Sequence, residues 1–406
     1  MTGSLKNSLR RSFEKNAPEV RAFLSGQIPS FVTQRRGSAS LAEVPVFVFH
    51  AVEPERLDIQ LLYLRSNDYR TLDANELEAA VRWDVRKGRE VALTFDDATW
   101  TFWTYAFPLL KRYGFRAILF AIPGIAPDDS TLYPNLEDVW EGRCIQKDLE
   151  RRGEIQPLCT WRELVLMHES GIVDVQSHSL THARVSVSPR LVDFLHPGFD
   201  ADFKNVNVPI SLLDNQEHPE RKLRLGAPVF ESAPRMACRL WFKEAPELVA
   251  AMTGYVEDHG ANAFFGRPNW RKELVTFFRR WPPERLGSFE TSEEMVLAVR
   301  RELFGSRKTL EERLPGKVVR HFCYHWFVGS DTADRLAAQV GYRTVHYGIQ
   351  INGRPAQSAR IPFRIRRISE EYLLRLPGHG RLPIWSISSI LANRVFRFIR
   401  RITPGL

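Results

Sequence analysis

Cysteine is scarce in this chain, with four among 406 residues at positions 144, 159, 238 and 323 and no CxxC pair. So few, so far apart, exclude a disulfide framework. Long apolar runs are also missing. No stretch of 18 apolar residues occurs, which leaves no spanning helix. The first residues, MTGSLKNSLRRSFEKNAPEVRAF, are basic but lead into no apolar run. A secretory signal needs roughly 7–15 apolar residues there. The expected address is therefore the cytoplasm. Acidic residues are outnumbered, 48 against 57 Lys and Arg, for a formal net charge of +9. A basic balance favours anionic partners, either an acidic glycan or an anionic membrane surface. With neither zinc-finger spacing nor an RNA-binding aromatic signature, nucleic acid is not expected.

What is present is ordinary globular material, 44% hydrophobic and 26% charged. An α/β barrel runs to roughly 250 residues as one unit. The length therefore points to one large domain with extensions or an insertion. Residues 1–40 read as a loosely held basic arm. VPVFVFHAV (44–52) is a strand signal, DANELEAAVRWDVRKG (73–88) a helix, and EVALTFDDA (90–98) a buried strand ending in two acids. Strand-like RAILFAIP (116–123), IVDVQSHSLTH (172–182), VVRHFCYHW (318–326) and YRTVHYGI (342–349) alternate with helix-like segments. Alternation of this kind argues for a parallel sheet with crossover helices. Residues 183–317, rich in Pro, Arg and Trp, break the rhythm and read largely as an insertion over one face. The expected domains are thus an arm (1–40), a barrel (41–376, insertion about 183–317) and a basic amphipathic segment (377–406). In that last segment Ile384, Ile387, Leu391, Val395, Phe398 and Ile402 share a helical face, opposite Ser386, Ser389, Asn393, Arg397 and Arg400. Such a helix either packs on its own domain or lies on an anionic bilayer.

Two constellations carry chemistry. In Thr94-Phe95-Asp96-Asp97, adjacent acids at a strand's C-terminal end point in different directions. One can bind a metal while its neighbour takes a proton, and in α/β barrels this edge is where reactions occur. In His178-Ser179-Leu180-Thr181-His182, two imidazoles four residues apart share one face of a helix or of a tight loop, a common spacing on one metal ion. A carboxylate with two imidazoles suits zinc or another divalent first-row metal. A metal of this kind polarises a carbonyl and acidifies water, and a second carboxylate beside it serves as general base. The chemistry implied is hydrolysis of an amide or ester. Trp100 and Trp103, at helical spacing past the acids, are either core packing or a stacking floor for a sugar.

TFDD and HSLTH, in this order and strand context, resemble the first two motifs of the polysaccharide deacetylases, carbohydrate esterase family 4. The likeness extends over FVFHAV and LLYLRSNDYRTLDANEL, and returns with HFCYHW and DTADRLAAQVGYRTV, so it covers roughly residues 44–182 and 292–350. By this resemblance the fold is a distorted (β/α) barrel of about seven strands. Asp97, His178 and His182 hold a divalent metal, most simply zinc, and Asp96 is the base. The attacked group is the acetamide of an N-acetylated amino sugar, losing acetate; with no export signal and a basic tail, the expected substrate is a glycan or lipid-linked saccharide. The sequence departs from the family where Ala98 replaces the usual Gly after the acids. It departs again where Tyr324-His325-Trp326-Phe327 stands for the third motif, which lacks its arginine here. His325, with His346 and His379 as alternatives, is the candidate acid; Tyr324 and Trp326 are the candidate substrate contacts. An unexported enzyme of this type fits a bacterial biosynthetic step at the inner membrane face. The same residues leave open an O-acetyl ester or a cyclic amide as substrate. They also leave open a non-catalytic glycan- or membrane-binding protein on an altered barrel.

Overall fold

A computed structural model describes residues 22, 25–35, 41, 43–83, 88–150, 152–214, 223–349 and 362–390. The β-branched and aromatic runs seen in the sequence become strands β1 (Val46–Phe49), β2 (Arg70–Thr71), β3 (Glu90–Asp96), β4 (Ala117–Ala121) and β5 (Val173–Ser177). Next come β6 (Arg184–Phe194), β7 (Pro228–Pro234), β8 (Phe242–Glu244) and β9 (Gly287–Phe289), then β10 (His321–Cys323), β11 (Thr344–Tyr347), β12 (Phe363–Arg366) and β13 (Ile368–Ser369). The main sheet runs β12-β11-β10-β5-β4-β3-β1-β13, with β2 paired to β3, and its ladders are parallel. Its two end strands are consecutive in the chain, separated by Arg367 alone. A link that short brings the open edges together and curls the sheet into a nearly closed barrel. The expected distorted (β/α) barrel is borne out, with eight strands on the path in place of about seven.

Strand side chains alternate between faces. One set, including Val46, Ala92, Ile118, Phe120, Cys323 and Ile365, fills the barrel. The other, including Phe47, Leu93, Phe95, Leu119, Val175 and Phe322, packs outward among the helices. Burial on both faces is why these strands read as continuous apolar runs. Leu72, Ala74, Leu77 and Ala80 join the interior set, so the helix Ala74–Trp83 plugs the end where the strands begin. Its first amide is held by Asp174 Oδ2 at 3.0 Å. The opposite end, where the strands finish, is left for chemistry.

After β5 the chain leaves the barrel. The antiparallel pairs β6–β7 and β8–β9 and the helices Pro246–Asp258 and Trp270–Phe278 enclose a separate apolar cluster built on Phe194, Phe230, Phe242, Leu248, Met252 and Phe264. The helix Ser292–Arg313, started by a Thr291/Glu294 capping box, returns to the barrel. There Ser306 Oγ meets Ser177 Oγ at 2.7 Å. Near the N-terminus, Phe31 and Val32 are buried, and carbonyls of Phe31, Val32 and Gln34 accept hydrogen bonds from Arg375 and Arg381. Of the C-terminal segment, Ile387 and Ile390 pack on the core; beyond Ile390 it lies outside the described residues.

Candidate metal and catalytic centre

By strand alternation Glu90, Ala92, Thr94 and Asp96 point into the barrel, and Asp96 is the last residue of β3. Asp97 then enters left-handed backbone at φ 70°, followed by Ala98 at φ 52°. This reversal sends the two carboxylates in different directions. The conformation costs an L-residue roughly 1–2 kcal/mol, and Ala98 adopts it where glycine would not be strained. Ser179, His182, Trp326 and Phe327 also have positive φ. Strain concentrated around one mouth of a barrel is a mark of functional sites.

His178 follows β5 directly. Its amide donates to Ala121 O at 2.9 Å, and its Nδ1 lies 2.9 Å from the Cys323 carbonyl. That bond turns Nε2 toward the mouth, as backbone carbonyls do for metal-ligating histidines. The loop then tightens: Ser179 Oγ accepts from the His182 amide at 3.0 Å, and Glu302 receives both the amide and the hydroxyl of Thr181. Gly124 donates to Leu180 O at 2.8 Å, and a Cβ on Gly124 would stand 2.4 Å from that oxygen. The two histidines therefore share a tight loop, one of the two arrangements their spacing allowed.

Asp97 Oδ1 sits 3.3 Å from His178 Nε2 and 3.4 Å from His182 Nε2. It is buried and makes no hydrogen bond. One ligand atom from each of these three residues lies within 4.8 Å of the others. A buried carboxylate oxygen facing two imidazole nitrogens fits a divalent cation with open coordination positions. Burial disfavours a charged His178 ring, yet Cys323, Asp96 and Asp97 together raise its pKa well above the ordinary value. The Asp97 carboxylate oxygen between the two imidazoles likewise favours a cation.

Asp96 is almost fully buried. Arg367 grips it with both arms of the guanidinium, Nη1 to Oδ1 at 2.6 Å and Nη2 to Oδ2 at 2.9 Å. Burial alone would push the Asp96 carboxyl up; Arg367, His178 and His50 outweigh it and hold the group well below the usual carboxylate range. His50 Nε2 stands 3.9 Å from Asp96 Oδ2, and the His50 side chain is 44% exposed. Cys323 Sγ lies 3.7 Å from both Asp96 oxygens.

The structure brings Asp96, Asp97, His178, His182, His325 and Trp326 together. The His325 and His182 ring centroids are 4.6 Å apart, and His325 is fully buried. Burial, with His178 and Arg184, holds its pKa well below the ordinary value. Trp326 is half-buried, 4.1 Å from the His182 ring, with Arg184 over its face at 4.7 Å. Tyr324 is not brought to the site. It lies in the core, and its hydroxyl donates to Asp334 at 2.7 Å. Alternation along β10 explains this, since His321 and Cys323 face inward and Tyr324 falls on the outer side. His346 is sealed beneath the site beside Phe120. The exposed His379 hangs from Asn67, just before β2, at the plugged end. Trp103 is core, its Nε1 donating to Tyr133 O at 2.7 Å, and Trp100 packs on Tyr105.

Sequence reasoning missed Arg367 and His50. His50 directly follows β1 (VFVF, Val46–Phe49), so its place at a strand's C-terminal edge was a usable signal. Arg367 stands among Arg360, Arg364 and Arg366, and nothing local distinguishes it.

With this geometry in view, the polysaccharide deacetylase family profile matches residues 84–197, a stretch that holds both acids and both loop histidines. The resemblance drawn from the motifs is thereby supported. The chain is 27% identical over 90 residues to YxkH of Bacillus subtilis (strain 168), a protein named as a candidate polysaccharide deacetylase. That match covers 20% of this chain and 32% of the relative, so the chain spans about a third of its length. Among solved structures it is similar to a de-N-acetylase from Aggregatibacter actinomycetemcomitans, at 14% identity and a TM-score of 0.46, covering 85% of this chain and 98% of that one. It is also similar to IcaB from Ammonifex degensii, at 16% identity and a TM-score of 0.44, covering 84% and 97%.

Proposed function

We propose that this chain, whose residues 84–197 match the polysaccharide deacetylase family, is a metal-dependent hydrolase that removes acetyl groups from N-acetylated amino sugars of a glycan or lipid-linked saccharide. The observation that carries the reading is the Asp97, His178 and His182 cluster beside a carboxylate, Asp96, that Arg367 keeps ionised and aimed. A divalent first-row ion bound there, most simply zinc, supplies polarisation of the acetyl carbonyl and an acidified water. Asp96, ionised and beside this cluster, would serve as the base that takes a proton from the attacking water. Arg367 fixes both carboxylate oxygens, so the base neither rotates away nor loses its charge. The half-exposed His50, facing Asp96 from the open side, is placed to give a proton to the departing amine. His325 is fully buried with its pKa held low, whereas His50 is 44% exposed and faces Asp96, so His50 is the better candidate for the acid. Trp326 and Arg184 form a wall suited to the sugar.

The reading includes a peripheral contact with anionic membrane through 384–406. Its support is the basic amphipathic sequence of that segment, together with Trp385 and Ile384 at 68% and 38% exposure. No helix among the described residues is long and apolar enough to cross a membrane.

Acetate release from N-acetylglucosamine oligomers tests the assignment. The native chain should liberate acetate. Asp96→Asn should lose activity by at least about 100-fold, the scale of a lost general base. Because it leaves the buried Arg367 charge unpaired, it is assayed at a temperature where circular dichroism shows it folded and elemental analysis shows its metal content kept. Unchanged acetate release in Asp96→Asn would show that the base is elsewhere.

A further inference from the structure

The excursion from the barrel holds a cavity of about 390 Å³, at the far end of β6 from the metal cluster. β6 starts at Arg184, two residues past His182, and runs 11 residues to Phe194. At about 3.3 Å per residue, that separates the two places by up to roughly 35 Å. Cavities of a few hundred Å³ with aromatic walls and a few convergent polar groups are the usual form of small-ligand sites.

Its walls are aromatic. Trp270 lies with its ring centroid 5.1 Å from His196 and 5.0 Å from Phe265, and Pro197 and Pro268 flank the opening. Arg271 stacks over Trp270 at 4.2 Å. Its Nη2 reaches His196 Nε2 at 3.0 Å and Asp193 Oδ2 at 3.3 Å. Its Nη1 and Nε have no protein partner among the described residues.

The hydrogen bonding here leaves donors in excess. His196 Nδ1 accepts from the Gly198 amide at 3.1 Å. A neutral imidazole has one acceptor nitrogen and one N–H, so Nε2 carries the hydrogen and faces an Arg271 N–H. Asp193 Oδ2, 3.9 Å from Nε2, is too far to take it. An acceptor oxygen entering the cavity would relieve this opposition. A free anion is disfavoured, because Asp193 already balances the arginine and would repel it. A neutral ring with one apolar face and several oxygens meets both requirements.

We propose that this cavity binds one pyranose ring of a glycan, its C–H face on Trp270 and a hydroxyl or acetamide oxygen accepting from Arg271 and His196. The choice of a glycan rests on the deacetylase reading. It follows that the substrate is a chain long enough to occupy the cavity and the metal centre together.

The test titrates N-acetylglucosamine oligomers of graded length into the full chain carrying Asp97→Asn, which prevents turnover, with and without Trp270→Ala or Arg271→Met. Circular dichroism and thermal melting verify that each variant is folded. Either cavity variant should weaken binding of the long oligomers about tenfold, the scale of a lost aromatic or charged contact. In the native background each should raise KM for long oligomers while leaving kcat on short ones unchanged. Equal affinity with and without the cavity substitutions overturns the proposal, as does failure of every oligomer to bind. Acetate release that ignores the cavity variants sinks the cavity alone. Oligomer binding that depends on Trp270, in a chain that releases no acetate, sinks the deacetylase reading and keeps the cavity.

Discussion

Between β12 and β13 a single arginine turns into the barrel and meets a carboxylate on the third strand. Arg367 and Asp96 are both nearly inaccessible to water, at 0% and 2% side-chain exposure, so neither charge tolerates losing the other. Breaking a buried pair by removing one partner costs about 3–5 kcal/mol, because the remaining charge is left uncompensated. Arg367→Met should therefore destabilise the fold by about that much in chemical denaturation. Arg367→Lys keeps the charge but loses the planar fork. It should retain more stability than Arg367→Met while lowering kcat at least about tenfold. A fully stable, fully active Arg367→Met would remove the arginine from the account. At this scale the sequence showed the residues that are neighbours in the chain. TFDD and HSLTH were legible because each lies in one short run at a strand end. Arg367 was not, because its partner is some 270 positions away and only barrel closure joins them. Tyr324 was misplaced through reading the third-motif segment by resemblance without following the inside–outside parity of β10.

The loop after β5 owes its shape to close approach. Gly124→Ala would drive a methyl into the Leu180 carbonyl, which must move and carry His182 with it. The expected result is at least about tenfold weaker metal affinity in a competition titration with a chelator; unaltered affinity would mean that the loop adapts without moving its ligand. On β10, His321 faces the plugged end, its Nδ1 2.8 Å from Thr344 Oγ1. Burial, the largest influence, with Lys317, Arg343 and Arg320 outweighing Asp174, lowers its pKa to about 4. Between pH about 6.5, the unfolded value, and about 4, the unfolded chain binds this proton and the native one does not. Stability is thus fully present above pH 6.5 and falls on acidification, by roughly 3 kcal/mol in all from this group. His321→Gln should flatten the fall in a pH series of denaturation curves; an unchanged slope would locate the acid sensitivity elsewhere. The strands were readable at this scale because both faces are apolar. β12 and β13 were not, being short, rich in arginine and without an apolar run.

At the scale of the whole molecule, the alternation of strands and helices gave a parallel sheet with crossover helices, and the resemblance of the motifs, not the alternation, chose the barrel over a doubly wound sheet. The excursion after β5 was visible as a break in that alternation, although its final helix, Ser292–Arg313, packs back on the barrel. Its internal cluster was beyond reach, because irregular Pro- and Arg-rich stretches carry no periodicity to pair distant strands. The C-terminal segment makes a separate prediction. Deleting residues 384–406, which removes the exposed Ile384 and Trp385 as well, should release the protein from anionic vesicles in co-sedimentation. Co-sedimentation equal to that of the full chain would assign the segment to packing. The central claim is that Asp97, His178 and His182 hold a metal ion on which hydrolysis depends, and elemental analysis tests it most directly. About one divalent first-row ion per chain, lost in the His178→Ala, His182→Ala double variant, is the expected result. No bound metal in the native chain, even after reconstitution with zinc or cobalt, would contradict it.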